Sequence, residues 1–363
     1  TGIILLIFSL FILIPISAAF FYGESIDNFL QSFLIIFFVG LLAYFPNKKE
    51  RSQIKIREGF LIVAIFWFVL SFFGAIPFLM DESLKFSLVD AVFESASGWT
   101  TTGATVISNI DNLNKPLLLY RQLLQWLGGI GIVVLVLAIL PILGVGGMYL
   151  YKAETSSPVK DNKLSPRITE TAKSLWGVYI VLTIACAVLY KIAGMSYFDA
   201  IGHSFSTVSI GGFSTHDASI GFYSSDLIKI ICMVFMFLSA LNFVLHFLFY
   251  KNKSLTVYTS NSEMKSFLLI IIILLLLVAI FSTGGRTQSI ENIDIMFHIL
   301  SFATTSGFTV SNYSNWPTFI ITIVFLSSFI GACAGSAGGG MKVIRFTIAS
   351  VSYTHLRAHE TAY

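Results

Sequence analysis

Charge is what this chain has least of. Only 11% of its 363 residues are Asp, Glu, Lys or Arg, where a soluble domain carries about 25%. So few charges cannot give a folded body a water-compatible surface, and a soluble protein is excluded. Cysteine is scarce as well. Cys186, Cys232 and Cys333 are scattered through apolar surroundings, which fits small buried hydrophobes and excludes a disulfide framework or a thiolate zinc site. The sequence has no nucleophile–base pair, no cluster of metal ligands and no pattern suited to nucleic acid, so no enzyme, catalytic residue or bound cofactor is expected. In place of charge the chain is 56% hydrophobic, with 35 Phe and a mean hydropathy of +0.84. It reads as an integral membrane protein in contact with lipid.

Apolar runs near spanning length, about 20 residues, occupy 2–22, 28–46, 59–80, 116–143, 175–195, 225–250, 265–283 and 317–350. The first lacks the basic start and cleavage site of a signal peptide and is kept as a span. The connections alternate in charge. Lys48, Lys49, Arg51, Lys55 and Arg57 crowd one; Lys152, Lys160, Lys163 and Arg167 another; Lys251 and Lys253 a third. The intervening loops are acidic or neutral. Basic loops face the cytoplasm, which obliges segments such as "SASGWTTTGATV" (95–106) to enter and leave on the outer side. They are re-entrant hairpins.

That stretch occurs three times. "HSFSTVSIGGFST" (203–215) and "HILSFATTSGFTV" (298–310) repeat its character, and each follows a short apolar run that starts near an acid: Asp90, Asp199 and Asp294. We align Thr101-Thr102-Gly103 with Ser209-Ile210-Gly211 and Thr305-Ser306-Gly307. The unit is span, half-helix, glycine hairpin, span. The divisions are 1–58 for an N-terminal two-helix hairpin with its basic loop, 59–150, 151–255 and 256–346 for three pore units, and 347–363 for a polar tail.

Backbone solvation gives the hairpins a purpose. Non-helical backbone at membrane depth is tolerated only where it is buried in protein or lines a wet cavity. Three hairpins entering from one side converge on an axis, where carbonyls and hydroxyls can replace a cation's hydration shell. The half-helices aim their negative C-terminal ends there. The nine aligned residues are therefore the candidate selectivity filter; the rival reading makes them outer connecting loops with turn glycines.

At this point the chain resembles the TrkH branch of the Trk/Ktr potassium-uptake family. The resemblance rests on "SGWTTTGATV", "RQLLQWLGGIGIVVLVLAILP", "STVSIGGFSTHD" and "GACAGSAGGGMKVIRF". It implies an all-α pore subunit that moves potassium inward across the cytoplasmic membrane, as a homodimer with a cytosolic nucleotide-binding regulatory subunit. Family members have four filter units and this sequence has three. It is read as truncated, with 347–363 either a non-native scar or a natural polar tail.

The last apolar run is too long for one crossing, and "GACAGSAGGG" (331–340) is where its helix should break, since each glycine costs about 1 kcal/mol in a helix interior. The resemblance makes this break an intramembrane gate containing Gly335, Gly338, Gly339, Gly340 and Lys342. A small-residue packing face built on Gly331, Gly335 and Gly339 is the alternative. A phosphate loop is rejected, because Met341 stands where the lysine is needed. Glu94 and Arg121 need partners inside the membrane, and a structural ion pair is favoured. Gln125, Asn242 and His246 are expected to bond between helices, and His203 and His298 to share a packing role. The competing function is a secondary carrier for another cation or small solute, which needs repeats of opposite orientation.

Overall fold

The computed structural model describes residues 2–47, 56–139, 168–282 and 291–351. Among them every regular element is helical. The basic segments 48–55 and 140–167, on which much of the orientation argument rests, and the tail from 352 lie outside the described residues.

Helices α1 (Gly2–Tyr22) and α2 (Asp27–Tyr44) form an antiparallel pair. Leu5, Phe8 and Ile12 of α1 and Phe29 and Ile36 of α2 enter one buried cluster with Trp99, Tyr120 and Leu124 of the first repeat. That cluster attaches the pair to the pore body. The first repeat contains α3 (Ile56–Phe73), α4 (Ile76–Met80), α5 (Leu88–Trp99) and α6 (Lys115–Ile139). The second contains α7 (Ile168–Ile192), α8 (Tyr197–Val208), α9 (Asp226–Ala240) and α10 (Phe243–Asn252). The third contains α11 (Ser262–Ser282), α12 (Asn292–Ala303), α13 (Thr318–Ser327) and α14 (343–351).

The half-helices α5, α8 and α12 are 12 residues each. Ser87 accepts from the Asp90 N–H while Asp90 returns a bond to the Ser87 backbone, a reciprocal cap that fixes where α5 starts. Ser196 caps α8 by accepting from the Asp199 N–H, and its hydroxyl donates to the Asp199 carboxylate at 2.7 Å. Asp294 occupies the matching first turn of α12.

Three expected spans are broken. The run 59–80 breaks at Gly74–Ala75, because Pro77 has no N–H to donate back to the Phe73 carbonyl; the Tyr120 hydroxyl donates to the neighbouring Gly74 carbonyl at 2.7 Å. The run 317–350 stops at Ser327 and resumes at 343, with 331–342 irregular, so the glycine-rich break falls where the composition places it. The third break was not expected: the run 225–250 bends by 92° between α9 and α10. Leu241 and Asn242 are extended there, and the Asn242 side chain accepts from the Val244 N–H to start α10. By length and composition, α1, α2, Ser174–Ile192 and Ser262–Ile280 can each cross a membrane alone, and the bent pair makes a fifth crossing if counted as one span.

Candidate functional site

Each half-helix ends in the same six-residue closure. The N–H groups of Thr102, Gly211 and Ser306 donate five residues back to Ser97, Ser206 and Ser301, at 2.9, 2.8 and 2.8 Å. Those of Thr101, Ile210 and Thr305 donate to Gly98, Thr207 and Phe302. This is a Schellman-type end, whose left-handed position is normally glycine. Here it is held by three β-branched residues: Thr101 at φ 53°, Ile210 at 55° and Thr305 at 66°. A branched side chain there is strained, and such strain persists only where the surroundings impose it. Two residues later Gly103, Gly212 and Gly307 have φ of 75°, 82° and 81°.

This corrects the register of the second repeat. Ser209 matches Thr100 and Thr304 as the helix-terminal residue; its hydroxyl donates back to the Ser206 carbonyl at 3.2 Å. Gly211 matches Thr102 and Ser306, and Gly212 is the counterpart of Gly103 and Gly307. Counting from the half-helix acid finds the alignment, since each glycine lies 13 residues after Asp90, Asp199 or Asp294.

The three hairpins touch in chain order, the first on the second and the second on the third. A Cβ on Gly103 would lie 2.1 Å from the Gly211 carbonyl oxygen, and one on Gly212 would lie 2.1 Å from the Ser306 carbonyl oxygen. At both junctions the left-handed glycine of one hairpin thus abuts the residue just before the matching glycine of the next. Their outer ends follow suit: the Ile110 N–H donates to Asp217 at 3.0 Å, and the Gly221 N–H to the Thr309 carbonyl at 3.1 Å.

Side chains on α6 brace the first two segments. Gln125 donates to the Gly211 carbonyl at 2.7 Å and accepts from the Phe213 N–H at 3.0 Å, so its partner is hairpin backbone as well as a neighbouring element. Glu94 and Arg121 form the expected buried ion pair at 2.9 Å. Glu94, His203 and His298 share one position, four residues after the acid. Glu94 accepts from Thr105, and the His203 ring bonds Ser214, each hydroxyl lying two residues past its glycine.

Beneath the third hairpin lies the glycine-rich loop. The Gly339 N–H donates to the Thr305 hydroxyl at 2.7 Å. A Cβ on Gly338 would fall 2.9 Å from the Thr304 carbonyl, and one on Gly340 3.5 Å from the Thr305 methyl. Gly335 is seated against the Asn242 carboxamide, and the Lys342 ammonium donates to the Gly338 carbonyl. All five residues expected at a gate therefore belong to one loop, packed on the inner end of the third hairpin.

At the outer end His216 joins two repeats. Its Nδ1 lies 2.6 Å from Asp111, its Nε2 3.7 Å from Asp199, and its ring stacks on Phe222. Burial pulls its pKa down, but the two carboxylates outweigh that and raise it above the ordinary 6.5. Stability from such a group is fully present below pH 6.5 and is lost as the pH climbs through the raised value. The apparent melting temperature should therefore fall above pH 6.5, and His216→Asn should flatten that fall. An unchanged slope in the variant would remove His216 as its cause.

A chain of repeated spans, half-helices and in-register hairpins around an axis is a membrane pore protein. The TrkH family, described as cation transport protein, matches residues 25–361, and the chain belongs to it. It is 47% identical over 352 residues to the Trk system potassium uptake protein TrkH of Halomonas elongata, covering 96% of this chain and 73% of that protein. It is 40% identical over 350 residues to TrkG of Escherichia coli K12, covering 96% of this chain and 72% of that protein. The crystal structure of the potassium transporter TrkH from Vibrio parahaemolyticus superposes with a TM-score of 0.88 at 42% identity, covering 99% of this chain and 75% of that one.

Proposed function

We propose that the protein takes up potassium, as the channel-like pore of a Trk-type system in the cytoplasmic membrane. The observation that carries this is the repeated contact of Gly103 on Gly211 and Gly212 on Ser306, which sets equivalent backbone segments side by side as a filter requires. The filter set is Thr101, Thr102, Gly103, Ile210, Gly211, Gly212, Thr305, Ser306 and Gly307. Threonine and serine hydroxyls and backbone carbonyls supply the oxygens; the half-helix C-termini favour a cation. A homodimer and a cytosolic nucleotide-binding partner belong to the same reading. The test is rubidium uptake by bacteria lacking their own potassium uptake. The chain is expressed as it stands and joined to the final quarter of the Vibrio transporter. Uptake no higher than in empty cells, in both arms, would sink the proposal.

The loop 331–342 is the gate of this pore. Its contact with Thr305 supports that role, since an obstruction there closes the inner end of the filter. Deleting 334–339 should raise rubidium uptake several-fold in the joined protein with potassium-over-sodium preference unchanged. Loss of membrane-inserted protein without any gain in uptake favours the packing face instead. Against a carrier of inverted repeats, all three half-helices run from an acidic N-terminus towards one shared centre.

A further inference from the structure

The glycine-rich loop is gripped from two sides. On one side is the break in the second repeat. The Cys333 N–H donates to the Ala240 carbonyl at 2.9 Å, the Phe243 N–H donates to the Gly335 carbonyl at 3.1 Å, and the Ala337 N–H reaches the Ser239 carbonyl at 3.4 Å. On the other side is Glu263, in the first turn of α11 and 8% exposed. It accepts from the Ala334 N–H at 2.7 Å. The Lys342 charge at the end of the loop and the Ile344 N–H just past it face the same carboxylate.

The two grips are consecutive in the chain. Helix α10 leaves the break, the turn Thr256–Thr259 reverses the direction, and α11 begins at Ser262. The reversal is tied back to the break by His246, whose ring bonds the Tyr258 hydroxyl at 2.8 Å and the Leu238 carbonyl at 2.9 Å. Residues 243–263 thus form a yoke around 333–337.

We propose that Glu263 is the positioning residue of the gate: its carboxylate clips both ends of the loop. Movement of the exposed segment around Lys251 and Lys253 passes through the yoke to the filter's inner mouth. The proposal rests on reading the loop as a gate. A carboxylate accepting an amide N–H makes a charge-assisted bond, about twice as strong as a neutral one. Glu263→Gln keeps an acceptor oxygen; Glu263→Ala does not.

The chain carries its own reporters. Cys333 sits in the loop at 1% exposure, while Cys186 and Cys232 are fully buried elsewhere. In the purified protein, Glu263→Ala should speed maleimide labelling of Cys333 about tenfold or more. Cys186 and Cys232 should stay protected, and Glu263→Gln should remain near the parent. Unchanged Cys333 labelling in Glu263→Ala overturns the proposal. So does labelling of all three thiols together, which makes Glu263 a stability residue only. Rubidium uptake by the joined protein is read separately. Faster Cys333 labelling with faster uptake supports the clip and the gate, whereas faster labelling with unchanged uptake keeps the clip and removes the gate.

Discussion

Replacing Gly212 by alanine is expected to damage ion selection as severely as replacing Gly103, and far more than replacing Gly211. Two costs coincide at Gly103 and Gly212. Both have φ in the left-handed region, at 75° and 82°, where a side chain costs roughly 1–2 kcal/mol. Both also leave only 2.1 Å between an added Cβ and a carbonyl oxygen of the next hairpin. No relaxation of a side chain relieves a clash with backbone, so the two hairpins must separate. Gly211 differs. It is not among the positive-φ residues. Its added Cβ would meet the Gln125 carboxamide, a side chain that can shift at the cost of its two bonds to the hairpin, while the backbone of the neighbouring hairpin stays in place. Gly307 is intermediate, strained at φ 81° but with no atom within 4 Å of an added Cβ. The expected order of lost rubidium-over-sodium preference is Gly103 and Gly212 together, then Gly307, then Gly211. The first two should lose at least about tenfold, equivalent to about 1.4 kcal/mol. If Gly211→Ala proves the more damaging of the adjacent pair, the register found here is wrong.

That register marks a limit of the sequence. The existence of three hairpins, their half-helices and the break at 331–340 were legible, because glycine clusters, apolar run lengths and first-turn acids each carry a direct physical cost or preference. The pairing of Gly211 against Gly212 was not decided by local resemblance, because either glycine follows small or branched residues. The distance from Asp199 decides it, since helix length is set by the cap and not by the filter residues. The same count places Glu94 with His203 and His298, three side chains too different in chemistry to look alike.

The bend at Leu241–Asn242 left a fainter trace. It contains neither glycine nor proline, the usual breakers. Its cause is tertiary: the glycine-rich loop of the third repeat supplies the hydrogen bonds that the helix forgoes, from Cys333 and Ala337 and to Phe243. A partner nearly a hundred residues away in sequence cannot be read from a local window. Asn242, a polar residue in an apolar run, was the visible sign. Its carboxamide caps α10 and lies against Gly335.

Removing either member of the Glu94–Arg121 pair is expected to be the most destabilising single change in the outer half of the filter. Arg121 is fully buried and donates through Nε to Glu94, through Nη2 to the Thr105 hydroxyl at 3.1 Å and through Nη1 to the Ser214 carbonyl at 3.3 Å. Its guanidinium also lies 4.3 Å from the Phe213 ring. Glu94, equally buried, accepts from Thr105 and from the Val106 N–H at 3.1 Å. The pair joins the first half-helix, α6 and the outer strands of two hairpins at one node. Arg121→Met leaves a buried carboxylate without its cation, and Glu94→Gln leaves the converse. Each should cost about 3–5 kcal/mol, visible as a fall of several degrees in apparent melting temperature. The double variant removes both charges, and a neutral replacement of a buried pair can come close to neutral in stability. It should recover at least half of the lost stability. It should not recover ion preference, because the Ser214 carbonyl and the Phe213 face still lack the guanidinium that joins the second hairpin to the first. Single variants that melt with the parent would mean that water screens the pair. A double variant restored in both stability and selectivity would reduce the pair to charge balance, with no part in aligning the two hairpins.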